Sequence, residues 1–184
     1  MCLNVISRDE NIKEIINALE ILKHNIPTQS IIYSGVNRVQ IVALMKQVYA
    51  IAQKLNIFCK YIRINRKDDF ISIVEDIEAE FLNATLKKGN EVCIDRGYRK
   101  SLTQIFITVG KIAYEIKSPV CFIIDEIQHM KKNELDDLIF AIHRTNQLDY
   151  PIIIIGAGTP QIIKILSGLK SYTERLFMYK TIGD

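Results

Sequence analysis

Apolar and polar positions follow two different rhythms along the chain. Short, strongly apolar runs predict β-strands, and apolar positions that recur at helical spacing predict helices between them. The predicted strands cover residues 30–34, 57–64, 119–124, 151–155 and 178–182, and the predicted helices cover residues 7–24, 40–55, 68–86, 101–116, 133–147, 160–166 and 172–177. Strands that alternate with helices are typical of βαβ units. We therefore expect an α/β fold with a parallel sheet, formed by all 184 residues as one domain.

The third predicted strand ends in two adjacent carboxylates, Asp125 and Glu126. The strand itself is apolar throughout, which is typical of a strand buried on both faces of a parallel sheet. Ligands of open α/β sheets bind beyond the carboxyl ends of the strands. In P-loop nucleotide hydrolases, the first acid of such a pair helps to hold Mg²⁺, and an acid beside it can orient the attacking water. The alternative interpretation is that Asp125 holds no metal and Glu126 caps the next helix.

A candidate phosphate-binding loop follows the first predicted strand. Residues 35–42 are in register with G-x-x-x-x-G-K-[ST], the motif whose backbone and lysine hold phosphates. Three motif positions carry other residues: Gln40 replaces glycine, Ile41 replaces lysine and Val42 replaces serine or threonine. The candidate phosphate-binding residues are Gly35, Val36, Asn37, Arg38, Val39, Gln40, Ile41 and Val42.

These replacements remove most of the loop's phosphate chemistry. Ile41 offers no positive charge, Val42 offers no metal ligand, and Gln40 adds a Cβ where the backbone should approach the phosphates. Because each hydrogen bond to a charged group contributes about 1.5–3 kcal/mol, we expect the affinity for ATP to fall by orders of magnitude. Restoring glycine, lysine and threonine at positions 40, 41 and 42 is expected to raise that affinity sharply.

Two alternatives stay open for this loop. The sequence favours a plain strand-to-helix turn over an ATP site, although the helix N-terminus that follows can still attract an anion. Arg38 is either a substitute cation for the missing lysine or a solvated side chain, and the solvated interpretation is favoured.

Several stretches together resemble one family. They are the runs Asp-Glu-Ile-Gln-His-Met at 125–130, Glu-Leu at 134–135, Ala-Ile-His-Arg-Thr-Asn-Gln at 141–147, Gly-Ala-Gly-Thr-Pro-Gln at 156–161 and Ser-Tyr-Thr-Glu-Arg-Leu-Phe at 171–177. With these motifs the chain resembles the AAA+ superfamily of P-loop ATPases, and within it the prokaryotic ATP-binding proteins related to the origin-recognition type. The resemblance covers almost the whole chain and is strongest from about residue 119 onward.

The resemblance implies a three-layer αβα fold with a mainly parallel five-stranded sheet in the order 5-1-4-3-2. It implies ATP and Mg²⁺ as cofactors, with Asp125 on the metal and Glu126 as the catalytic partner of the Walker B pair. The region near Gly156 would be the sensor, and Arg175 would be the catalytic arginine that reaches a neighbouring subunit's nucleotide. The alternative for Arg175 is a surface arginine. Residues 1–184 are expected to form the base domain of such a protein, without the family's C-terminal helical lid.

Composition indicates where the protein is located but gives little evidence about its chemistry. The net charge of +3 is too small to indicate nucleic acid or membrane by itself. Four widely spaced cysteines without a C-x-x-C pair, and the absence of a long apolar segment or signal peptide, favour a cytoplasmic protein that does not bind membranes. His129 and His143 lack partners at metal-ligand spacing. Arg96, Arg99 and Lys100 form a weak candidate contact to DNA.

We weigh three functions for the chain. The first is an AAA+ ATPase-like domain with impaired or absent ATP binding and hydrolysis. The second is a non-catalytic scaffold derived from the ATPase fold, which binds a protein partner, another copy of itself or DNA. The third is a decayed gene product with no present role.

Overall fold

The computed structural model describes residues 8–87, 89–90, 100–169 and 173–183 of the 184-residue chain. Residues 91–99, which include the basic residues Arg96 and Arg99, lie outside the described residues. Within the described residues, no helix is long and apolar enough to cross a lipid bilayer.

The elements alternate as the sequence predicts. The strands are β1 (Ser30–Ser34), β2 (Phe58–Arg63), β3 (Val120–Asp125), β4 (Ile152–Gly158) and β5 (Phe177–Thr181). The helices are α1 (Arg8–Lys23), α2 (Arg38–Lys54), α3 (Phe70–Lys87), α4 (Leu102–Glu115), α5 (Lys132–Gln147), α6 (Gln161–Ser167) and α7 (Thr173–Leu176), and a 3₁₀ turn spans Ile127–His129.

One sheet contains all five strands in the order β2-β3-β4-β1-β5, and every neighbouring pair is parallel. Read from the other edge, this is the predicted order 5-1-4-3-2, so the fold expectation is confirmed. β1 lies between β4 and β5, so the connection that leaves β1 runs toward one edge of the sheet and the connection that leaves β4 runs toward the other. Because the strands are parallel, their carboxyl ends meet at one edge, and that edge is where ligands of open α/β sheets bind.

Two apolar cores cover the two faces of the sheet. The first lies under α3, α4 and α5 and includes Phe106 and Phe122, whose rings stack 5.1 Å apart. The second lies under α1 and α2 and includes Leu19 and Val48. The central strands β1, β3 and β4 are buried at every position, because helices cover both of their faces. These three strands therefore form a rigid base for the groups at their carboxyl ends.

Two helices begin at positions other than predicted for reasons that the hydrogen bonds show. Helix α2 begins at Arg38, two residues before the predicted Gln40, because the Asn37 side chain caps it by accepting a 3.3 Å hydrogen bond from the Gln40 backbone N–H. Helix α5 begins at Lys132, so Asn133 lies inside it and is not its cap. There the Glu134 carboxylate accepts a 2.9 Å hydrogen bond from the Lys131 backbone N–H.

Candidate functional site

The carboxyl edge of the sheet brings the loop after β1 next to the acids at the end of β3. Asp125 is the last residue of β3, and Arg38 is the first residue of α2. Arg38 and Asp125 are far apart in the sequence. They meet because β1, which leads into α2, and β3 end at the same edge of the parallel sheet. The site is therefore built from the N-terminal turn of a helix and the C-terminal ends of the buried strand β3 and of its neighbour, the partly buried edge strand β2.

Arg38 forms a shared ion pair with both acids. Its Nη2 donates to Asp125 Oδ1 at 2.8 Å and to Asp125 Oδ2 at 2.9 Å, and it lies 2.9 Å from Glu126 Oε1. The Asp125 side chain is fully buried, while Arg38 keeps 30% of its side-chain surface exposed. A buried carboxylate needs a compensating charge, and the guanidinium supplies it. The interpretation of Arg38 as a solvated residue was therefore wrong.

Tyr61 is a member of the site that the sequence analysis missed. It lies on β2, and its hydroxyl donates to Asp125 Oδ2 at 2.9 Å. Burial of the ring and, second, this hydrogen bond raise the pKa of Tyr61 to about 12. The neighbouring Arg63 lies farther off, with its Nη2 at 3.9 Å from Glu126 Oε1. No sequence motif marks Tyr61, because its role depends on β2 lying beside β3.

Glu126 turns the chain sharply after β3. Its backbone has φ of +59°, a left-handed conformation that costs energy for a residue with a Cβ. Its backbone N–H donates to Asp125 Oδ1 at 2.9 Å, which holds this turn in place. The Glu126 side chain makes no capping bond to the 3₁₀ turn, so the expectation that it caps the next helix was wrong.

Gln128 links these acids to the end of β4. Its Nε2 donates to Glu126 Oε2 at 2.5 Å, and its Oε1 accepts from the Thr159 backbone N–H at 3.2 Å. Gly158 makes room for this link, because a Cβ at that position would lie 2.4 Å from Gln128 Oε1. The predicted sensor region after Gly156 is thereby connected to the acids through one side chain.

The frame at residues 35–42 is a short turn followed by helix, not an eight-residue loop. Only Gly35, Val36 and Asn37 lie between β1 and α2. Residues 38–42 already form the first turns of the helix, with Val39 80% exposed on its outer side. The alternative of a plain strand-to-helix turn describes this geometry better than a phosphate-binding loop.

Ile41 occupies the motif's lysine position but points into the second core. Its side chain is fully buried and packs in the cluster that includes Leu44 and Val48. Val42 is half-buried and carries no metal ligand. A lysine at position 41 would therefore enter the apolar core and not reach toward Asp125. Substitution at positions 40–42 alone is no longer expected to restore ATP affinity.

Arg175 lies at the opposite edge of the sheet from the acids. It is exposed in α7, directly before the amino end of β5, whereas Asp125 ends β3 at the carboxyl edge. Gln29 holds the α7 backbone by donating to Arg175 O at 3.2 Å. The structure thus does not bring Arg175 together with the acids of its own chain.

Within the part of the chain that the structure describes, no group of three or more His, Cys, Asp and Glu side chains is suited to hold a metal ion. The Nδ1 atom of His129 lies 3.4 Å from the backbone oxygen of Ile64, so this side chain contacts the chain just after β2. Cys59 and Cys121 are free, buried thiols on neighbouring strands, and the pKa of Cys121 is raised by its hydrogen bond to Cys59 and by burial. These cysteines are core residues.

The fold matches those of Cdc6 and ORC proteins in solved structures. Cdc6p from Pyrobaculum aerophilum superposes with a TM-score of 0.67 at 12% identity, over 96% of this chain and 45% of that one. The Aeropyrum pernix ORC1 protein, solved in complex with DNA, gives 0.55 at 13% identity, over 98% and 46%. The Aeropyrum pernix ORC2 protein, solved as ADPNP-ADP complexes, gives 0.60 at 14% identity, over 98% and 48%.

These matches confirm the AAA+ ATPase resemblance at the level of the fold. The chain spans less than half the length of these three structures. At the level of sequence, no family model matches the chain, and no curated protein is significantly similar to it.

Proteins of this fold use ATP and Mg²⁺, and the residues at this edge do not fit that pair as they stand. Both oxygens of Asp125 accept hydrogen bonds from Arg38, and one also accepts from Tyr61. Glu126 is held by Arg38 on one oxygen and by Gln128 on the other. Mg²⁺ requires near-octahedral oxygen ligands, and a guanidinium between the two carboxylates takes the place such an ion would need.

The burial of Ile41 generates a prediction about stability. Replacing it in Ile41→Lys places an ammonium in an apolar core, and the cost of burying that charge should lower the free energy of unfolding by about 4 kcal/mol. Urea denaturation of the purified variants measures this. Val39→Lys is the matched control, because Val39 is exposed, and it should change stability by less than about 0.5 kcal/mol. If Ile41→Lys instead folds normally and binds ATP more tightly, position 41 is a true phosphate-loop position.

The Tyr61–Asp125 hydrogen bond generates a prediction about pH. The pKa of Tyr61 is about 12 in the folded chain and has the ordinary value of 10.0 when unfolded, so the folded state holds the phenol proton longer. The stability that this group contributes is complete below pH 10 and is lost as the pH rises to 12. The free energy of unfolding, measured across this pH range, should fall less in Tyr61→Phe than in the wild type.

A difference titration of phenolate absorbance, wild type minus Tyr61→Phe, isolates the same group. A midpoint near the ordinary value of 10.0 would show that Tyr61 is neither shielded nor bonded to Asp125 in solution.

Proposed function

We propose that this chain is an AAA+ ATPase-like domain in which ATP binding and hydrolysis are impaired or absent. The observation that carries the proposal is the ion pair in which the Arg38 guanidinium bridges Asp125 and Glu126. An internal cation lies between the two acids that would otherwise attract the metal and offsets part of their charge. The domain then keeps its α/β architecture without the metal-dependent chemistry of the fold.

The energetics of the ion pair support this proposal. Each hydrogen bond to a charged group contributes about 1.5–3 kcal/mol, and Arg38 makes two to the fully buried Asp125. A metal ion would have to displace the guanidinium and then find new partners for it. Neither Ile41 nor Val42 offers a compensating ligand, because one is buried and neither carries a polar atom.

A residual nucleotide site is the weaker form of the same proposal. Arg38 Nη1 is a buried donor atom that has no hydrogen-bond partner, so an anion at the helix N-terminus would find one free donor there. In that case Asp125 would hold Mg²⁺, Glu126 would orient water and the backbone from Gly35 would contact phosphate, all by analogy with the family. That arrangement requires Arg38 to leave the acids.

A second candidate function is a binding scaffold for a protein partner, another copy of the chain or DNA. The specific observation is that Val36 and Val39, at the position of the degenerate loop, are 72% and 80% exposed. Apolar side chains this exposed and three residues apart support a contact surface. Exposed Arg175 would reach a neighbouring subunit in an oligomer. DNA is supported by the fold neighbour solved with it, the ORC1 protein.

A cytoplasmic setting belongs to the proposal. The buried, unpaired thiols of Cys59 and Cys121 suit a reducing compartment, where disulfides are rare.

The proposal predicts how metal and nucleotide binding respond to Arg38. Calorimetric titration of the wild type with Mg²⁺·ATP at millimolar concentrations should give no binding heat. Arg38→Ala removes the bridging guanidinium and leaves buried Asp125 without its cation, so it should lower the free energy of unfolding by about 1–3 kcal/mol. Millimolar Mg²⁺ should then raise the melting temperature of Arg38→Ala and leave that of the wild type unchanged.

Arg63→Ala is the matched control, because Arg63 pairs with Asp125 through the strand backbone but its guanidinium lies near Glu126, 3.9 Å from Oε1, while the cation bonded to the Asp125 carboxylate is Arg38. It should show neither the loss of stability nor the response to Mg²⁺. The double variant Arg38→Ala with Asp125→Asn should lose the Mg²⁺ response if Asp125 is the ligand. Micromolar Mg²⁺·ATP binding by the wild type would contradict the proposal and favour Arg38 as a phosphate contact.

A further inference from the structure

A groove lies beside helix α6. It consists of two adjoining depressions that share Gln128 and Ile165, with volumes of about 510 Å³ and 400 Å³. One end lies against Arg66 and Thr159, and the other end lies against α5. We call this surface the α6 groove. It is distinct from the Arg38 ion pair, which none of its lining residues forms.

The two ends of the α6 groove differ in chemistry. The end near the 3₁₀ turn is polar, with Arg66, His129 and Gln161 on its walls. The other end is mainly apolar and is lined by Met130, Leu135, Ile165 and Leu169, with the exposed Lys132 on its rim. Ile165 is an exposed large apolar side chain, 37% accessible, at the junction of the two ends.

The fully charged side chains that line the described part of the α6 groove are both cations. Of the described residues that line it, Arg66 and Lys132 carry full charges, and both are exposed cations. Among the described residues, no acidic side chain lines the groove. Of the acids that follow these cations in the sequence, Asp68 accepts a 2.7 Å hydrogen bond from the Asn65 backbone N–H, and Glu134 accepts one from the Phe70 backbone N–H. The described lining therefore places one cation at each end of an apolar seat.

We propose that the α6 groove binds an acidic segment of a protein partner, with one apolar side chain of that segment seated against Ile165. Carboxylates on the two sides of that side chain would meet Arg66 and Lys132. Electrostatic complementarity of this kind selects partners and fixes their register. This inference gives a partner class to the scaffold function proposed above and rests on it to that extent.

A protein segment suits the α6 groove better than nucleic acid does. Binding to a phosphate backbone relies on neutralising many phosphates with a row of cations, and two cations flanking an apolar seat do not supply such a row. The apolar end would have no partner on a duplex. An acidic segment with an apolar anchor uses both ends of the groove.

The floor of the α6 groove connects to the acids at the sheet edge. Gln128 lines both depressions, and its side-chain amide bonds Glu126 on one side and the Thr159 backbone on the other. An occupant of the groove contacts the same residue that holds Glu126. The side-chain amide signal of Gln128 is therefore a reporter of occupancy.

The test uses the full chain without nucleotide and a set of fluorescein-labelled peptides in which a leucine is flanked by glutamates at increasing spacing. Saturable binding in fluorescence polarisation is expected, with the Gln128 side-chain amide shifting in NMR spectra and that of Gln53, which lies in another depression at the start of β2, unchanged. Arg66→Glu with Lys132→Glu should weaken binding about tenfold or more. Ile165→Ser should weaken the leucine peptides and not their leucine-to-serine counterparts.

The matched control is Lys13→Glu with Lys46→Glu, which changes the net charge equally on exposed positions of α1 and α2. An equal loss of binding in this control would overturn the proposal, since the attraction would then come from net charge. Absence of saturable binding by every peptide would overturn it, and so would tighter binding of a labelled DNA duplex that depends on Arg66 and Lys132. Because no nucleotide is present, failure here leaves the ATP titration and the Arg38 proposal unaffected.

Discussion

The ion pair between Arg38 and buried Asp125 is the interaction on which the carboxyl edge of this sheet depends. A fully buried carboxylate at the end of a central strand is stable only with a cation or several donors beside it. Here the guanidinium, the Tyr61 hydroxyl and the Glu126 backbone N–H all converge on Asp125. The same contacts hold Glu126 in its left-handed turn, and through Gln128 they fix the end of β4. One charge thus organises three strands and the start of a helix.

The fold could be predicted well from sequence because its signals are local and strong. The apolar runs of β3 and β4 could only be strands buried on both faces, and the alternation of strands and helices implied parallel pairing. The order of the strands came from the family resemblance and not from periodicity, since no pattern within one strand specifies its neighbours. Solved structures with 12–14% identity share the fold, so its architecture persists where little sequence does.

The site was predicted only in part, for physical reasons. Asp125 and Glu126 stood out because carboxylates at the end of a buried strand are costly unless they are used or paired. The partner Arg38 was considered but misjudged, because a guanidinium near a helix start is usually solvated and only the tertiary structure shows its reach. The start of α2 did carry a local signal, an Asn37 followed three residues later by Gln40, which is typical of a helix cap. Tyr61 had no such signal.

The early start of α2 has a consequence for how this protein relates to active ATPases through evolution. Three residues separate β1 from α2, and the motif positions from Arg38 onward already belong to the helix. If the proposed function is right, nucleotide hydrolysis at this edge would need a longer turn, removal of Arg38 and a new occupant for the space of Ile41. Removal of Arg38 leaves Asp125 buried without its cation, and a lysine in place of Ile41 puts a charge into the apolar core. Single substitutions toward a phosphate loop would therefore each lower the free energy of unfolding, so this edge of the sheet resists change one residue at a time.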